Sequence, residues 1–126
     1  MKIIHIAIYV NDLENVKKFF IKYFNAVSNE LYHNEKKGFK SYFLSFSDGT
    51  RLEIMNKADM HDQDDGANRL GFHIAFSVGS KENVDNLTNI FENDGYEILS
   101  KPRITGDGYY ESCILGVEGI IIEITI

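Results

Sequence analysis

Two histidines and two glutamates recur in similar positions within four apolar, strand-like segments of the chain. His5 lies in IIHIAIYV (3–10), His73 in GFHIAFSV (71–78), Glu53 in TRLEIM (50–55) and Glu123 in IIIEITI (120–126). Because side chains alternate across a strand, all four point away from the isoleucine-rich face that we expect to pack on a helix. Two carboxylates on one apolar surface repel each other and are costly to bury, and a divalent transition metal removes that cost. Two imidazoles and two carboxylates suit such a metal.

A non-metal interpretation exists for each residue taken singly. A lone strand histidine is usually a hydrogen-bonded core residue, and a lone strand glutamate usually belongs to a solvated face. The recurrence of the pair in two places favours the metal site. His33 and His61 lie in the polar segments YHNE and MHDQDD, which predicts solvated side chains rather than ligands.

The chain is an internal repeat. HIAIYVNDLENV (5–16) and HIAFSVGSKENV (73–84) share seven of twelve residues at an offset of 68, and DGTRLEIM (48–55) resembles EGIIIEIT (118–125) at an offset of 70. The sequence therefore predicts one domain, 1–126, made of module 1 (about 1–57), an exposed linker (about 58–69) and module 2 (about 70–126).

Each module is predicted to be βαβββ, which makes the fold class α+β. In module 1 a strand over 2–10 precedes a helix capped by Asp12, and strands follow near 29–33, 39–46 and 50–55. In module 2 a strand over 70–78 precedes a helix over 80–94, with Gly95 as a left-handed cap, and three strands follow. Ile4, Ile6, Ile8 and Val10 are predicted to face the first helix; Val84, Leu87, Ile90 and Phe91 are predicted to point inward from the second. Pro102 is predicted to fall between strands.

Composition narrows the class of protein. The 126 residues include 13 Lys+Arg and 19 Asp+Glu, a net charge of -6, so we expect no nucleic-acid partner. No apolar run approaches the ~20 residues that cross a bilayer, and the N-terminal segment does not resemble a signal peptide. Cys113 is the single cysteine, which favours a reducing cytoplasm, and its apolar neighbours predict a buried thiol rather than a nucleophile.

With His5, Glu53, His73 and Glu123 in paired βαβββ modules, the whole chain resembles the vicinal oxygen chelate superfamily. That superfamily includes glyoxalase I, fosfomycin-resistance proteins, methylmalonyl-CoA epimerase, extradiol dioxygenases and metal-free bleomycin-binding proteins. The resemblance implies a cupped mixed sheet with helices on its outer face, and a metal held by these four residues. It also implies a homodimer in which His5 and Glu53 of one chain meet His73 and Glu123 of the other.

The set of two histidines and two glutamates is similar to that of bacterial glyoxalase I. This resemblance implies a lactoylglutathione lyase-like enzyme that uses nickel or cobalt, with zinc, manganese and iron as alternatives. Its substrate would be a small hemithioacetal with two adjacent oxygens, isomerised by proton abstraction and stabilisation of an enediolate. The resemblance implies that Glu123 is the base, with Glu53 as the second candidate.

Three further residues are candidates for substrate contact. Tyr9 stands where glutathione-using relatives carry an arginine, so the thiol need not be glutathione. Arg51 is predicted to share the face of Glu53 by alternation. Tyr109 and Tyr110 follow the glycine-containing turn in PRITGDGYYES (102–112), and one of them, which we expect to be Tyr110, is predicted to reach the cup. The alternative is a hairpin whose tyrosines simply pack.

Two other functions remain open. The first is another metal-dependent enzyme of the same fold, namely an epimerase, a thiol transferase or a dioxygenase. The second is a metal-free protein that binds a cationic aromatic drug, which the acidic surface and Tyr9 and Tyr110 would suit. The metal-free protein would tolerate alanine at all four candidate ligands, whereas either enzyme would lose tight metal binding.

Overall fold

The computed structural model describes residues 1–60 and 71–126. The chain divides into two compact units, Met1–Asp64 and Asp65–Ile126. Most of the predicted linker, together with His61, lies outside the described residues.

Within residues 1–60, the first unit folds into one helix and one five-stranded mixed sheet. Its elements are β1 (Ile6–Tyr9), α1 (Leu13–Phe24), β2 (Val27–Ser28), β3 (Tyr32–Asn34), β4 (Phe39–Ser45) and β5 (Arg51–Lys57), with a 3-10 turn at Glu35–Lys37. The strand order is β1-β5-β4-β2, and β3 also pairs with β4. Strand β1 is parallel to β5, and the other pairs are antiparallel. The predicted second strand is thus two short strands on the same neighbour.

The second unit repeats this arrangement. Its elements are β6 (His73–Ser77), α2 (Lys81–Asn93), β7 (Glu97–Ile104), β8 (Tyr110–Leu115) and β9 (Ile121–Thr125), with a 3-10 turn at Val117–Gly119. The strand order is β6-β9-β8-β7, with β6 parallel to β9. The predicted α+β class and the two tandem βαβββ modules are confirmed.

The helix ends follow the sequence signals. The Asp12 carboxylate accepts a hydrogen bond from the Asn15 backbone N–H at 2.9 Å, as the cap prediction requires. The Ser80 hydroxyl does the same for Asn83 at 3.2 Å. Gly95 has a φ of 88°, the left-handed conformation that glycine adopts without steric cost.

Each sheet has one face covered by its own helix. Helix α1 packs on β4 and β5, and α2 packs on β7, β8 and β9. The buried residues of the first unit include Val16, Phe20, Leu44 and Ile54. Those of the second include Val84, Phe91, Ile122 and Ile124. The opposite face of each sheet is called here its helix-free face.

The first strand departs from the prediction. Val10 is fully buried, but Ile4 and Ile6 are 53% and 60% exposed. Because α1 packs on β4 and β5, it does not cover the start of the neighbouring edge strand. The alternation therefore predicted the face of these residues correctly but not their burial.

Two predictions for the second unit were wrong. Ile90 is 47% exposed, and Thr88 is buried instead, with its hydroxyl 2.6 Å from that of Ser112 on β8. Pro102 lies inside β7 rather than between strands. It is tolerated there because β7 is an edge strand whose pairing with β8 shifts register between Ser100 and Arg103.

No helix in the described ranges is long and apolar enough to span a membrane.

Candidate metal centre

The first unit brings His5 and Glu53 together on the helix-free face. His5 immediately precedes β1, and Glu53 lies in the middle of β5. The His5 Nε2 atom is 3.5 Å from Glu53 Oε2, and the two side chains are 36% and 14% exposed. A histidine and a carboxylate, each partly open to solvent, thus converge at one point.

The second unit brings His73 and Glu123 together in the same way. His73 Nε2 lies 3.2 Å from Glu123 Oε2, with side-chain exposures of 53% and 24%. Both residues of this pair are more exposed than their counterparts in the first unit. The repeat seen in the sequence is therefore a repeat of geometry.

Strand register explains why the two pairs match. In the first unit Ala7 is the direct neighbour of Glu53 on the parallel strand, and in the second Ala75 is the direct neighbour of Glu123. A methyl group next to each carboxylate leaves space above the sheet. The histidine, two residues earlier on the same face, extends into that space.

Each pair suits two ligands of one divalent metal. Donors about 2.0–2.2 Å from a common ion, at the angles of tetrahedral or octahedral coordination, lie about 2.8–3.6 Å from each other. The separations of 3.5 Å and 3.2 Å fall within that range. Across residues 1–60 and 71–126, no group of three or more His, Cys, Asp or Glu side chains could hold a metal. Each unit by itself thus brings together two candidate ligands, and each such pair is called here a half-site.

Phe43 links the first half-site to a cation. It pairs with Glu53 across β4 and β5, and its ring centroid is 5.1 Å from that of His5. The guanidinium carbon of Arg51 lies 4.8 Å from the same ring centroid. Sequence reasoning did not identify Phe43, although alternation in FKSYFLSF and the SDGT turn together place it opposite Glu53.

Tyr9 and Lys57 occupy the far end of this face. Tyr9 pairs with Met55 on β5 and is 40% exposed. The Lys57 Nζ atom is 5.2 Å from the Tyr9 ring centroid. A hydrogen bond with the Tyr9 phenol raises the pKa of Lys57, so this lysine stays protonated. Arg51 and Tyr9 thus share the face of Glu53, as alternation predicted.

Cys113 lies beside Glu123 on the helix-free face of the second sheet. It is partly exposed, so the expectation of a buried thiol was wrong. Partial burial raises the pKa of the thiol, and the charges of Glu123 and Glu111 raise it further. A thiol that stays protonated is a poor nucleophile.

Tyr110 lies on the other face of β8, towards α2. Its hydroxyl donates a hydrogen bond to Asp85 Oδ1 at 2.7 Å, and Lys81 Nζ is 5.1 Å from its ring centroid. The hydrogen bond to Asp85 raises the pKa of this phenol. A tyrosine held by α2 in this way is not positioned to contact a substrate beside Glu123. Tyr109 is 59% exposed in the preceding turn, and His33 is an exposed residue of β3.

Comparison with known sequences identifies the class of protein that this fold and these half-sites define. The sequence model of the Glyoxalase/Bleomycin resistance protein/Dioxygenase superfamily matches residues 2–124. The chain belongs to this superfamily, as its sequence resemblance predicted. Among curated proteins, none matches the chain.

Solved structures share the fold at low sequence identity. A possible glyoxalase from Bacillus cereus is 23% identical, with 100% of this chain and 99% of that one covered and a TM-score of 0.75. The fosfomycin resistance protein FosX from Listeria monocytogenes is 21% identical, with 98% and 89% covered and a TM-score of 0.71. Glyoxalase I from Zea mays is 17% identical, with 97% of this chain but 43% of that one covered and a TM-score of 0.75. These similarities establish the fold and leave the reaction to be argued from the site.

Proposed function

We propose that the protein is a metal-dependent lyase or isomerase of glyoxalase type. The observation that carries this proposal is the repeated pair: a histidine nitrogen and a glutamate oxygen 3.5 Å apart in one unit and 3.2 Å apart in the other. Two such half-sites, His5 with Glu53 and His73 with Glu123, would supply four ligands to one divalent ion. Nickel or cobalt is the favoured metal, with zinc, manganese and iron as alternatives. When bound, the metal supplies Lewis-acid polarisation of two adjacent substrate oxygens.

Glu123 is the proposed base. It would remove the proton next to the substrate carbonyl and return that proton to the neighbouring carbon. Glu123 is 24% exposed against 14% for Glu53, and its cross-strand neighbour is the small Cys113 rather than Phe43. A substrate therefore has easier access to Glu123 than to Glu53. Glu53 remains the second candidate because the two half-sites have nearly the same geometry.

The proposed substrate is the hemithioacetal of a small 2-oxoaldehyde and a thiol. The test is an isomerase assay of metal-loaded protein with methylglyoxal and, in turn, glutathione, cysteine and coenzyme A. Turnover with one thiol supports the proposal, and Glu123→Gln should abolish it together with tight metal binding, because Glu123 would serve both as a ligand and as the base. Glu111→Gln is the matched control, since Glu111 lies on the neighbouring strand β8, on the same face as Glu123, but does not belong to the His73–Glu123 pair. Metal binding without turnover of any hemithioacetal would contradict it, and would direct attention to epimerase, thiol transferase or dioxygenase chemistry.

Two cations make the drug-binding alternative less favourable. Arg51 and Lys57 share the face of Glu53 in the first unit. Both would repel a cationic drug, despite the net charge of -6 on the whole chain.

We propose further that the protein is a homodimer. Strand β1 is the edge of its sheet, and Ile3, Ile4 and Ile6 are 82%, 53% and 60% exposed. An edge strand with exposed isoleucines favours association with a second copy, and in such a dimer each centre would combine half-sites of different chains. Sedimentation equilibrium should give a dimer for the wild type and a monomer for Ile6→Lys. A monomeric wild type would contradict this.

The single Cys113 supports a reducing, cytoplasmic location.

A further inference from the structure

Arg51 is the cation nearest the first half-site along β5. It lies two residues before Glu53 on the same face, about 7 Å along the strand. Its guanidinium carbon is 4.8 Å from the centroid of Phe43, whose ring also meets the His5 ring edge-on at 5.1 Å. One aromatic ring therefore positions both a candidate ligand and a cation.

The N–H groups of the Arg51 guanidinium have no acceptor among the described residues. The side chain is half-buried, and it contacts the Phe43 ring but forms no hydrogen bond with any residue of 1–60 or 71–126. A ring face engages the plane of the guanidinium and leaves its N–H groups at the edge. The chain has 19 acidic residues, yet none in the described ranges forms an ion pair with this arginine. An arginine whose guanidinium carbon lies 4.8 Å from a ring centroid, and which forms no ion pair with the described residues, is suited to receive a carboxylate in a bidentate manner.

The second half-site has no cation at the positions equivalent to Arg51 and Phe43, although Arg103 on β7 lies on the same face, opposite Glu111. With the repeat offset of 70, Ile121 stands in the place of Arg51 and Cys113 in the place of Phe43. Both corresponding residues lie on the same face as Glu123, because they pair with His73 and Glu123. The candidate ligands are duplicated, but the residues around them are not.

We propose that Arg51 binds a carboxylate of the substrate, so that the substrate is a small monoanionic acid that also carries two adjacent oxygens. One guanidinium balances one negative charge, which favours a carboxylate over a dianionic phosphate. This inference rests on the proposed function, since the adjacent oxygens are those that the metal would polarise. The carboxylate distinguishes this substrate from a neutral hemithioacetal.

The test uses two chelating probes that differ by one carboxylate. Acetohydroxamate is neutral, and succinic monohydroxamate carries the same chelating group and a carboxylate on a short chain. Binding of each to nickel-loaded protein is measured by calorimetry. We expect wild type to bind the acidic probe about 10–100-fold more tightly, the range for a hydrogen bond to a charged group. Arg51→Gln should lose this preference and keep its affinity for nickel and for acetohydroxamate, while Arg51→Lys should keep part of it.

Lys57→Gln is the matched control. It removes the same charge from the same face of β5, four residues beyond Glu53, and should keep the preference for the acidic probe. Equal binding of the two probes to wild type, or a preference that survives in Arg51→Gln, would overturn the proposal. Failure of nickel to bind would count against the metal centre instead.

In that case succinate is titrated into metal-free protein and followed by NMR. Succinate binding that Arg51→Gln abolishes supports the role of Arg51, and no succinate binding to wild type overturns it.

Discussion

A buried pair of hydroxyls between α2 and β8 allows the packing of the second unit to be tested quantitatively. Thr88 and Ser112 are 2% and 0% exposed, and their hydroxyl oxygens are 2.6 Å apart. The Thr88 hydroxyl also donates to the Val84 carbonyl at 2.6 Å. Since a hydroxyl has one proton, Ser112 must be the donor in the hydroxyl pair. The two residues are therefore not equivalent, although they share one hydrogen bond.

This direction of donation predicts unequal mutational effects. In Ser112→Ala the Thr88 proton keeps its acceptor, so we expect a loss of about 0.5–1.5 kcal/mol in unfolding free energy. In Thr88→Val the shape of the side chain is kept, but the buried Ser112 hydroxyl loses the Thr88 oxygen that accepts its proton. We therefore expect a loss of about 1–3 kcal/mol in unfolding free energy. In the double variant both polar groups are gone, and the loss should be smaller than for Thr88→Val alone.

Urea unfolding followed by circular dichroism measures these differences, with the exposed Ser47→Ala as control at less than about 0.5 kcal/mol. In thermal unfolding, 1 kcal/mol corresponds to about 3–5 °C for a chain of this length. Losses that simply add in the double variant, or a larger loss for Ser112→Ala than for Thr88→Val, would refute the assigned hydrogen-bond direction.

Two further predictions concern α1. Asp12→Ala should lower the unfolding free energy by about 1 kcal/mol in urea unfolding, because it removes the cap on the Asn15 N–H; an unchanged midpoint would contradict the cap. Hydrogen bonds lower the pKa of Glu14, the one with Lys17 more than the one with Tyr42. The ionised carboxylate therefore contributes its full stabilisation above the ordinary pKa of 4.5, and this contribution is lost as the pH falls through the lowered pKa. Stability measured from pH 6 to pH 2 should therefore fall less steeply in Glu14→Gln than in wild type, and parallel curves would contradict this.

The geometry of each half-site was predictable because it depends on local rules. Side-chain alternation alone assigned His5, Glu53, His73 and Glu123 to the faces opposite the helices, and the repeat indicated that the two pairs would match. The alanines two residues after each histidine were visible in the sequence as small neighbours. The caps at Asp12 and Gly95 were predictable for the same reason, since they depend on a few adjacent residues.

The features that were not predicted from the sequence depend on contacts between helices and strands. The position of Phe43 next to Glu53 follows only when the register that the SDGT turn sets between β4 and β5 is combined with alternation, and the exposure of Ile6 depends on which strands α1 covers. The burial of Thr88 instead of Ile90 depends on the partner that Ser112 offers across the interface. Hydrophobic periodicity gives a direction for each side chain but not the group that it meets.

The central claim is that the two half-sites bind one divalent metal. The most direct measurement is thermal unfolding of chelator-stripped protein titrated in turn with Ni, Co, Zn, Mn and Fe(II). A metal present at about 100 times its dissociation constant should add about 2.7 kcal/mol to the unfolding free energy. We expect a metal-specific rise in wild type and in Glu111→Gln, and its loss in both Glu53→Gln and Glu123→Gln. No rise with any metal, or a rise that both ligand variants retain, would contradict the metal centre.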